Sequence, residues 1–192
     1  MEKTSRPGSR VSTDLSVYNN SWWNPGGSRL KIILWFLVSS VSINSYLPLP
    51  VRFKKWILTL FGAKIGVGLA IKPAVNIKFP WLLTIGDYVW IGEGVWIDNL
   101  APVTIGNHVC ISQGAMLETG NHNYRSRSFD LFVKPIHLDN GVWIGAKSVI
   151  CPGVTCHSHA ILAVGSVATQ PLEAYGIYQG NPAVWVKNRE IQ

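Results

Sequence analysis

A polar segment in the middle of the chain contains the residue best suited to acid–base chemistry. Residues 119–135 read TGNHNYRSRSFDLFVKP and interrupt a regular apolar pattern that continues on either side. Within the segment, His122 carries an imidazole, which titrates near neutral pH and can remove a proton from a hydroxyl during attack. His122 is therefore a candidate general base in a predicted catalytic loop, 120–135. A merely exposed loop histidine is the alternative.

The remaining histidines and the cysteines offer weaker chemistry. The other four histidines fall in predicted turns or at a strand start and are interpreted as structural or solvated: His108, His137, His157 and His159. Cys156 with His157 and His159 could bind a metal ion. The alternative is that these three residues occupy a tight turn of the repeat and have no ligand. The three cysteines show no CxxC spacing, which favours free thiols in a reducing compartment. No metal is predicted.

A six-residue apolar period surrounds the polar segment and defines the fold class. The large apolar anchors that recur six apart are Ile65, Ile71, Ile77, Ile85, Ile91, Ile97, Ile105, Ile111, Leu117, Leu138, Ile144, Ile150, Cys156 and Leu162. A helix repeats its faces every 3.6 residues and a single strand every two, so neither explains this pattern. Short strands separated by turns do, with three strands to a coil. We expect an all-β solenoid of about five coils between residues 65 and 168, with bulges near Pro80 and Pro102.

The N-terminal third has a different composition. Residues 1–28 are rich in Ser, Gly, Asn, Pro and Arg and predict an extended arm containing Trp22 and Trp23. Residues 30–61 are apolar and predict two helices separated by Pro48 and Pro50. The apolar run 32–43 is too short to cross a bilayer. The chain therefore divides into 1–61 and a solenoid domain, 62–192.

The second predicted helix leaves two interpretations open. Around 52–61 it combines Arg52, Lys54 and Lys55 with apolar residues, so it could cap the solenoid, contact an anionic membrane surface, or both. The formal net charge of +7 fits an anionic partner, and no nucleic-acid-binding motif is present. We therefore expect a cytoplasmic protein without nucleic-acid function, with peripheral contact at the inner membrane face as a hypothesis.

Three stretches resemble the hexapeptide-repeat acyltransferases: IGEGVWIDNLAPVTIGNHVCISQGAMLETGNHNY, KPIHLDNGVWIGAKSVICPGV and AVGSVATQPLEAYGIYQGNPA. The similarity covers about residues 62–190 and is strongest to the colanic acid (exopolysaccharide) biosynthesis acetyltransferases, which group with the galactoside and maltose acetyltransferases. The Trp-Trp arm and the apolar N-terminal segment resemble that branch more weakly. The resemblance implies a left-handed parallel β-helix and a homotrimer with active sites between neighbouring subunits.

The same resemblance implies roles for particular residues. The histidine of the T-G-x-H loop, His122, is the implied general base, and Asp98 and Asn99 are implied acceptor-binding residues, with a turn role as their alternative. Acetyl-CoA-binding positions carry over to Ala146, Val164, Thr169, Gln170 and Lys187. The sequence departs from the family pattern at Gln170, where relatives usually have lysine, and at Val184, where some have arginine. Phosphate binding is then expected to rely on Lys187 and Arg189.

These features together predict an acetyl-CoA-dependent O-acetyltransferase that acts on a hydroxyl of a sugar or exopolysaccharide precursor. Two alternatives stay open: acetyl transfer to the nitrogen of an amino sugar, and a non-catalytic solenoid scaffold. The identity of the acceptor and the length of the acyl chain do not follow from the residues.

Overall fold

The computed structural model of the protein describes residues 11–192. Lys3, Arg6 and Arg10 of the predicted extended arm lie outside these residues.

Two helices come first, α1 (Arg29–Val41) and α2 (Val51–Leu60), with short 3-10 turns at Leu15–Val17 and Pro80–Leu82. In chain order the strands are β1 (Lys64–Ile65), β2 (Ala70–Ile71), β3 (Asn76–Ile77), β4 (Leu83–Ile85), β5 (Trp90–Ile91), β6 (Trp96–Asp98), β7 (Val103–Ile105), β8 (Cys110–Ile111), β9 (Met116–Glu118), β10 (Gly120–His122), β11 (Leu131–Val133), β12 (Ile136–Leu138), β13 (Trp143–Ile144), β14 (Val149–Ile150), β15 (Thr155–Cys156), β16 (Ile161–Leu162), β17 (Val167–Ala168), β18 (Gly176–Gly180) and β19 (Ala183–Asn188).

The strands form a parallel β-solenoid with three faces. Sheet A has the order β1-β4-β7-β12-β15, sheet B has β19-β18-β16-β13-β8-β5-β2, and sheet C has β17-β14-β9-β6-β3. Each coil contributes one strand to each sheet. Turns that lead from sheet B to sheet C form the B–C corner, and those that lead from sheet C back to sheet A form the C–A corner.

The predicted solenoid is confirmed, with a small difference in length. Five complete coils are followed by an incomplete sixth, in which Leu172 bridges Cys156 of sheet A and β18 pairs with β16 in sheet B. The chain then reverses, and β19 pairs with β18 antiparallel. The apolar anchors point inward and are buried, apart from the partly buried Ile65 at the open end of the first coil. Burial of each such side chain stabilises the fold by roughly 1.5–3 kcal/mol.

The turns at the B–C corner favour glycine at one position. The second turn residue has a positive φ in every complete coil, from +55° at Ala74 to +68° at Gly165. Glycine adopts this conformation without cost, which accounts for Gly94 and Gly114 at equivalent positions. Gly145, just before this turn, is required by close approach, because a Cβ there would lie 2.6 Å from the Val164 nitrogen.

The N-terminal helices pack on the first coils. The Trp35 indole of α1 donates a hydrogen bond of 2.8 Å to the carbonyl oxygen of Ile77, and Ile57 and Leu58 of α2 are buried against the core. The two predicted helices are thus present and cover the end of the solenoid. Among residues 11–192, no helix has the length and apolar character needed to span a bilayer.

Candidate active site

The solenoid is interrupted once, at the C–A corner after β9. There β10 and β11 form an antiparallel hairpin in which His122 is the register partner of Leu131. Backbone hydrogen bonds close its tip, including one of 2.8 Å from the Asn123 N–H to the Asp130 carbonyl. The Ser126 hydroxyl donates to the Asp130 carboxylate at 2.7 Å, and this interaction holds the pKa of Asp130 below its usual range. The segment expected to form an irregular loop is therefore an ordered hairpin.

The hairpin fixes the orientation of the His122 ring. Nδ1 of His122 lies 2.8 Å from the carbonyl oxygen of Phe129, and the two rings stack with centroids 4.4 Å apart at 6°. A carbonyl oxygen only accepts hydrogen bonds, so Nδ1 is the protonated nitrogen of the neutral ring. Nε2 is left with its lone pair. His122 is half-buried and borders an open cavity of about 540 Å³.

One residue near His122 was missed by sequence reasoning. The Tyr18 ring lies 5.7 Å from the His122 ring, at an interplanar angle of 52°. Tyr18 precedes His122 by more than a hundred residues in an arm of irregular composition, and nothing in the local sequence indicates this contact.

Asp98 lies at the same C–A corner, at the end of β6. Its Oδ1 is 2.8 Å from Nζ of Lys78, at an angle outside hydrogen-bond geometry, so this buried oxygen has no hydrogen-bond donor among the described residues. On the next coil, Glu118 is the register partner of Asp98. Burial, and secondarily the Asp98 carboxylate, raises the pKa of Glu118. Asp98 also borders a cavity of about 310 Å³ between α1 and sheet C, lined in part by Trp35, Phe36 and Trp96.

Asn99, the second predicted acceptor residue, is placed differently. Its side chain is fully buried, its Oδ1 accepts from the Phe79 N–H at 2.9 Å, and its Nδ2 donates to the Phe79 carbonyl at 2.6 Å. The amide thus connects two adjacent coils and has no exposed polar atom for a ligand. This placement favours a structural role for Asn99 over acceptor binding. The sequence predicts a local turn as the structural alternative, but the Asn99 side chain instead connects two adjacent coils.

The residues implied for acetyl-CoA lie in the last three coils. Ala146 and Val164 occupy equivalent positions in successive turns of the B–C corner, where the Gly165 N–H donates to the Ala146 carbonyl at 2.9 Å. Neither the Ala146 N–H nor the Val164 N–H donates to an acceptor within residues 11–192. These two neighbouring groups are available to carbonyl groups of a ligand.

The other predicted cofactor residues are exposed but more scattered. Thr169 and Gln170 follow β17 at the opposite end of sheet C from Val164, and Lys187 lies on β19 opposite Ile177. Val184, on the same strand, is 61% exposed. Arg189 is partly committed elsewhere, because its Nη1 donates to the carbonyl oxygens of Gly141 and His159 at 2.9 and 3.2 Å. Of the two expected phosphate ligands, Lys187 is therefore the one whose charged group is more available to a ligand.

No metal centre is formed by the residues that the structure describes, since no three His, Cys, Asp or Glu side chains converge. Cys156 points into the core, whereas His157 pairs with Asp139 and His159 stacks on Tyr175. The three neighbours in sequence thus have different surroundings.

Comparison with known proteins identifies the class. The solved structure of a hexapeptide-repeat-containing acetyltransferase from Vibrio cholerae superposes with a TM-score of 0.75 at 26% identity, covering 86% of this chain and 96% of that one. The same Vibrio protein is also known in complex with acetyl coenzyme A. None of the protein-family models compared with the chain matches it. The fold is that of a hexapeptide-repeat acetyltransferase.

Sequence comparison narrows the class to one branch. The Escherichia coli K12 protein named "Putative colanic acid biosynthesis acetyltransferase WcaF" is 35% identical over 176 residues, which span 92% of this chain and 97% of that protein. The galactoside O-acetyltransferase of the same organism is 28% identical over 123 residues, or 62% of this chain and 61% of its own. The chain therefore belongs to the hexapeptide-repeat acetyltransferases, in the branch of the colanic acid biosynthesis acetyltransferases. The predicted family and the predicted enzyme class, an acetyltransferase, are confirmed.

Proposed function

We propose that this acetyltransferase uses acetyl-CoA to acetylate a hydroxyl group of a sugar or exopolysaccharide precursor, with His122 as the general base. The observation that supports this most directly is the 2.8 Å contact between Nδ1 of His122 and the Phe129 carbonyl. It leaves Nε2 as the acceptor nitrogen and holds the ring in one orientation, as a base must be held.

The proposed reaction is direct transfer in a ternary complex. Nε2 of His122 takes the hydroxyl proton as the acceptor oxygen attacks the thioester carbonyl carbon, and a C–O bond forms. The C–S bond of the tetrahedral intermediate then breaks, and the imidazolium returns the proton to the departing thiolate. A backbone N–H stabilises the oxyanion meanwhile. The Phe129 carbonyl oxygen stabilises the imidazolium through the Nδ1–H bond. No cysteine lies in the hairpin, so no acyl-enzyme is proposed.

The donor site is proposed to begin at the B–C corner and to extend across sheet C toward Thr169 and Gln170. The free N–H groups of Ala146 and Val164 would bind the amide carbonyls of the pantetheine arm, and Thr169 and Gln170 would contact the distal part of the cofactor. Lys187 would contact a phosphate, because a lysine ammonium is a suitable partner for this anion. The acceptor site is proposed at Asp98: its buried Oδ1 lies against Lys78, and its Oδ2, which borders the cavity beside α1, can accept a hydrogen bond from a sugar hydroxyl.

A homotrimer is proposed because one chain keeps its donor groups and its base apart. Ala146 and the root of the His122 hairpin lie at opposite ends of sheet C, a separation of roughly 15 Å at about 3.3 Å per strand residue. A reacting base must be within about 3 Å of the hydroxyl it deprotonates. Bringing a neighbour's His122 hairpin to the B–C corner closes this gap, and a threefold ring of identical contacts supplies such a neighbour to every subunit.

The faces of the solenoid fit the same assembly. Outward residues of sheet A are polar, such as Thr84, Thr104 and His137, which suits contact with water. Sheets B and C instead present Trp90, Trp143 and Trp96, which are 64%, 46% and 43% exposed in the single chain. Large apolar side chains gathered on two faces mark interaction surfaces.

Contact with an anionic membrane is proposed for the helical end. Phe36 of α1 and Trp56 and Leu60 of α2 are 70%, 58% and 65% exposed, and Arg29 and Arg52 lie among the exposed residues of the same helices. Apolar side chains beside basic ones are typical of interfacial helices. The protein should sediment with phosphatidylglycerol vesicles and not with phosphatidylcholine vesicles, and Phe36→Asp with Trp56→Asp should abolish this. Absence of wild-type binding to either vesicle would exclude it.

The experiment for the enzymatic proposal separates donor from acceptor. Calorimetric titration with acetyl-CoA should show saturable binding near one per subunit, with desulfo-CoA and truncated pantetheine as controls. Release of the CoA thiol is then followed with methyl β-galactoside, maltose, glucose and glucosamine as acceptors. Turnover with glucose at least matching that with glucosamine supports O-acetylation, and strong preference for glucosamine points to N-acetylation. Failure to bind acetyl-CoA would leave the scaffold alternative.

A further inference from the structure

The N-terminal arm, residues 14–25, crosses the site of the proposed base. Near its start, the Asp14 N–H donates to the Arg127 carbonyl at 2.8 Å, and the Arg127 guanidinium donates to the Asp14 carboxylate at 2.9 Å. Near its end, the Trp23 indole donates to the Leu100 carbonyl at 3.0 Å. The arm is therefore attached to the histidine hairpin at one end and to the solenoid at the other.

Tyr18 lies between these two attachments, against His122. Phe129 already covers one face of the imidazole at 4.4 Å, so Tyr18, at 5.7 Å and 52°, occupies the other face or the edge. Such tilted aromatic geometry is favourable. The contact with His122 is thus made by the ring.

From this geometry we propose that Tyr18 is a positioning residue for His122 and that the arm is part of the active site. The proposal rests on the proposed role of His122 as the base. The Tyr18 ring restricts the imidazole to one orientation and excludes water from one side of it. By holding the imidazole in one orientation, the Tyr18 ring keeps Nε2 in position as the hydroxyl proton is transferred.

The Asp14–Arg127 pair helps to position Tyr18 because it attaches the start of the arm to the histidine hairpin. Asp14 also accepts from the Ser16 N–H at 3.1 Å and caps the 3-10 turn Leu15–Val17, which leads directly into Tyr18. The hydrogen bonds from Ser16 and Arg127 hold the pKa of Asp14 below its usual range. Both partners are solvent-accessible, so the pair sets the position of the turn more than it adds stability.

A pair of matched substitutions tests the contact without an acceptor. In Tyr18→Leu, diethyl pyrocarbonate should modify His122 faster than in the wild type, with His157 on the distant surface as the internal reference. Tyr18→Phe keeps the ring and should leave the ratio of the two rates unchanged. Equal His122 rates in all three proteins would show that Tyr18 does not cover the imidazole and would overturn the proposal.

Kinetics test the role with the most active acceptor of the panel above. Tyr18→Leu should lower kcat by about 2- to 10-fold, the range expected when an aromatic contact that positions the imidazole is lost, with no change in acetyl-CoA affinity or melting temperature. Tyr18→Phe should restore kcat. In the His122→Ala background, Tyr18→Leu should have no further effect, whereas a general structural defect would be additive.

The outcomes separate this proposal from the one on which it rests. An inactive His122→Ala with wild-type turnover in Tyr18→Leu overturns the positioning role and leaves the base assignment standing. Wild-type turnover in His122→Ala overturns the base assignment, and with it the catalytic role of Tyr18. Additive losses in the double variant overturn the positioning role alone.

Discussion

Nδ1 of His122 and the carbonyl oxygen of Phe129 lie 2.8 Å apart across the hairpin that interrupts the solenoid. The contact is local in sequence, and it selects the tautomer, because only a protonated Nδ1 can interact favourably with a carbonyl oxygen. Phe129 itself has a φ of +52°, a conformation that non-glycine residues rarely adopt. The backbone at Phe129 is therefore locally strained in the conformation that places its carbonyl oxygen against the imidazole.

Removal of the imidazole is the first prediction. His122→Ala should lower kcat by roughly 10²- to 10⁴-fold, because the acceptor hydroxyl loses its base. Acetyl-CoA affinity and melting temperature should be unchanged, since His122 is half-buried on a hairpin outside the solenoid core. His157→Ala is the matched control and should turn over normally. An active His122→Ala enzyme would refute the base assignment.

Asp98 and Asn99 are adjacent in sequence, and the structure predicts opposite effects of substituting them. Asp98→Asn should raise KM for the acceptor with little change in stability, because the Asp98 carboxylate borders a cavity. Asn99→Ala should instead lower the free energy of unfolding by about 2–4 kcal/mol, since it leaves the buried N–H and carbonyl of Phe79 unpaired. Chemical denaturation and acceptor kinetics on both variants distinguish the roles. A stable Asn99→Ala with a raised KM would restore Asn99 as an acceptor ligand.

The repeating part of the fold was predictable because each coil obeys the same local rule. Anchors such as Ile97 and Leu117 must point inward every six residues, and their spacing alone predicts the stacked coils. The incomplete sixth coil was not predictable, because Leu172 and Tyr178 join the core outside the six-residue register. Leu172 and Tyr178 are held in place by pairing with strands of the fifth coil, and the six-residue period of the sequence does not predict this pairing.

The candidate site was predictable in part, for a related physical reason. The break in the repeat indicates where a hairpin leaves the solenoid, and it correctly locates His122 outside the regular coils. The partners of each side chain depend on contacts between distant segments. Asn99 is recognised as a coil-bridging residue only when Phe79 is seen on the preceding coil, and Tyr18 is brought to His122 only by the path of the arm.

Lys54 provides a prediction about stability. Its side chain is 2% exposed on α2, and its ammonium makes one hydrogen bond of 3.3 Å, to the Lys72 carbonyl. Burial lowers the pKa of Lys54, so the folded state disfavours the charged form. Lys54→Met should therefore raise the free energy of unfolding by about 1–3 kcal/mol at neutral pH.

The pH dependence of this gain has a definite sign. The pKa of Lys54 is lower in the folded state than in the unfolded state. The destabilisation caused by Lys54 is therefore complete at pH values below the folded-state pKa, and it disappears as the pH rises toward the unfolded-state pKa. The advantage of Lys54→Met should therefore shrink between neutral and strongly alkaline pH. Lys55→Met, on the more exposed side of α2, is the control and should show no such gain. A destabilised Lys54→Met at neutral pH would mean that the ammonium is better satisfied than its single contact indicates.

Burial also predicts the reactivity of one thiol. The Cys156 side chain is fully buried, and burial raises the pKa of its thiol to about 12. Since the thiolate is the reactive form, Cys156 should resist iodoacetamide at pH 8 in the native protein and react readily in denaturant. Mass spectrometry of the Cys156 peptide, with Cys110 and Cys151 as the less buried references, measures this. Equal native alkylation of all three would show that the fifth coil opens to solvent.

Mixed trimers test whether the active site is shared between subunits. Val164→Trp should block acetyl-CoA binding while preserving the fold, because the Val164 side chain is 69% exposed on the proposed groove. This variant and His122→Ala should each be nearly inactive alone. After unfolding and refolding together in equal amounts, about a quarter of wild-type activity should return if each site combines the base of one subunit with the groove of the next. If both halves of the site came from the same chain, every mixed trimer would remain as inactive as its parents. Recovery of activity would therefore establish both the assembly and the contribution of the neighbouring His122 hairpin.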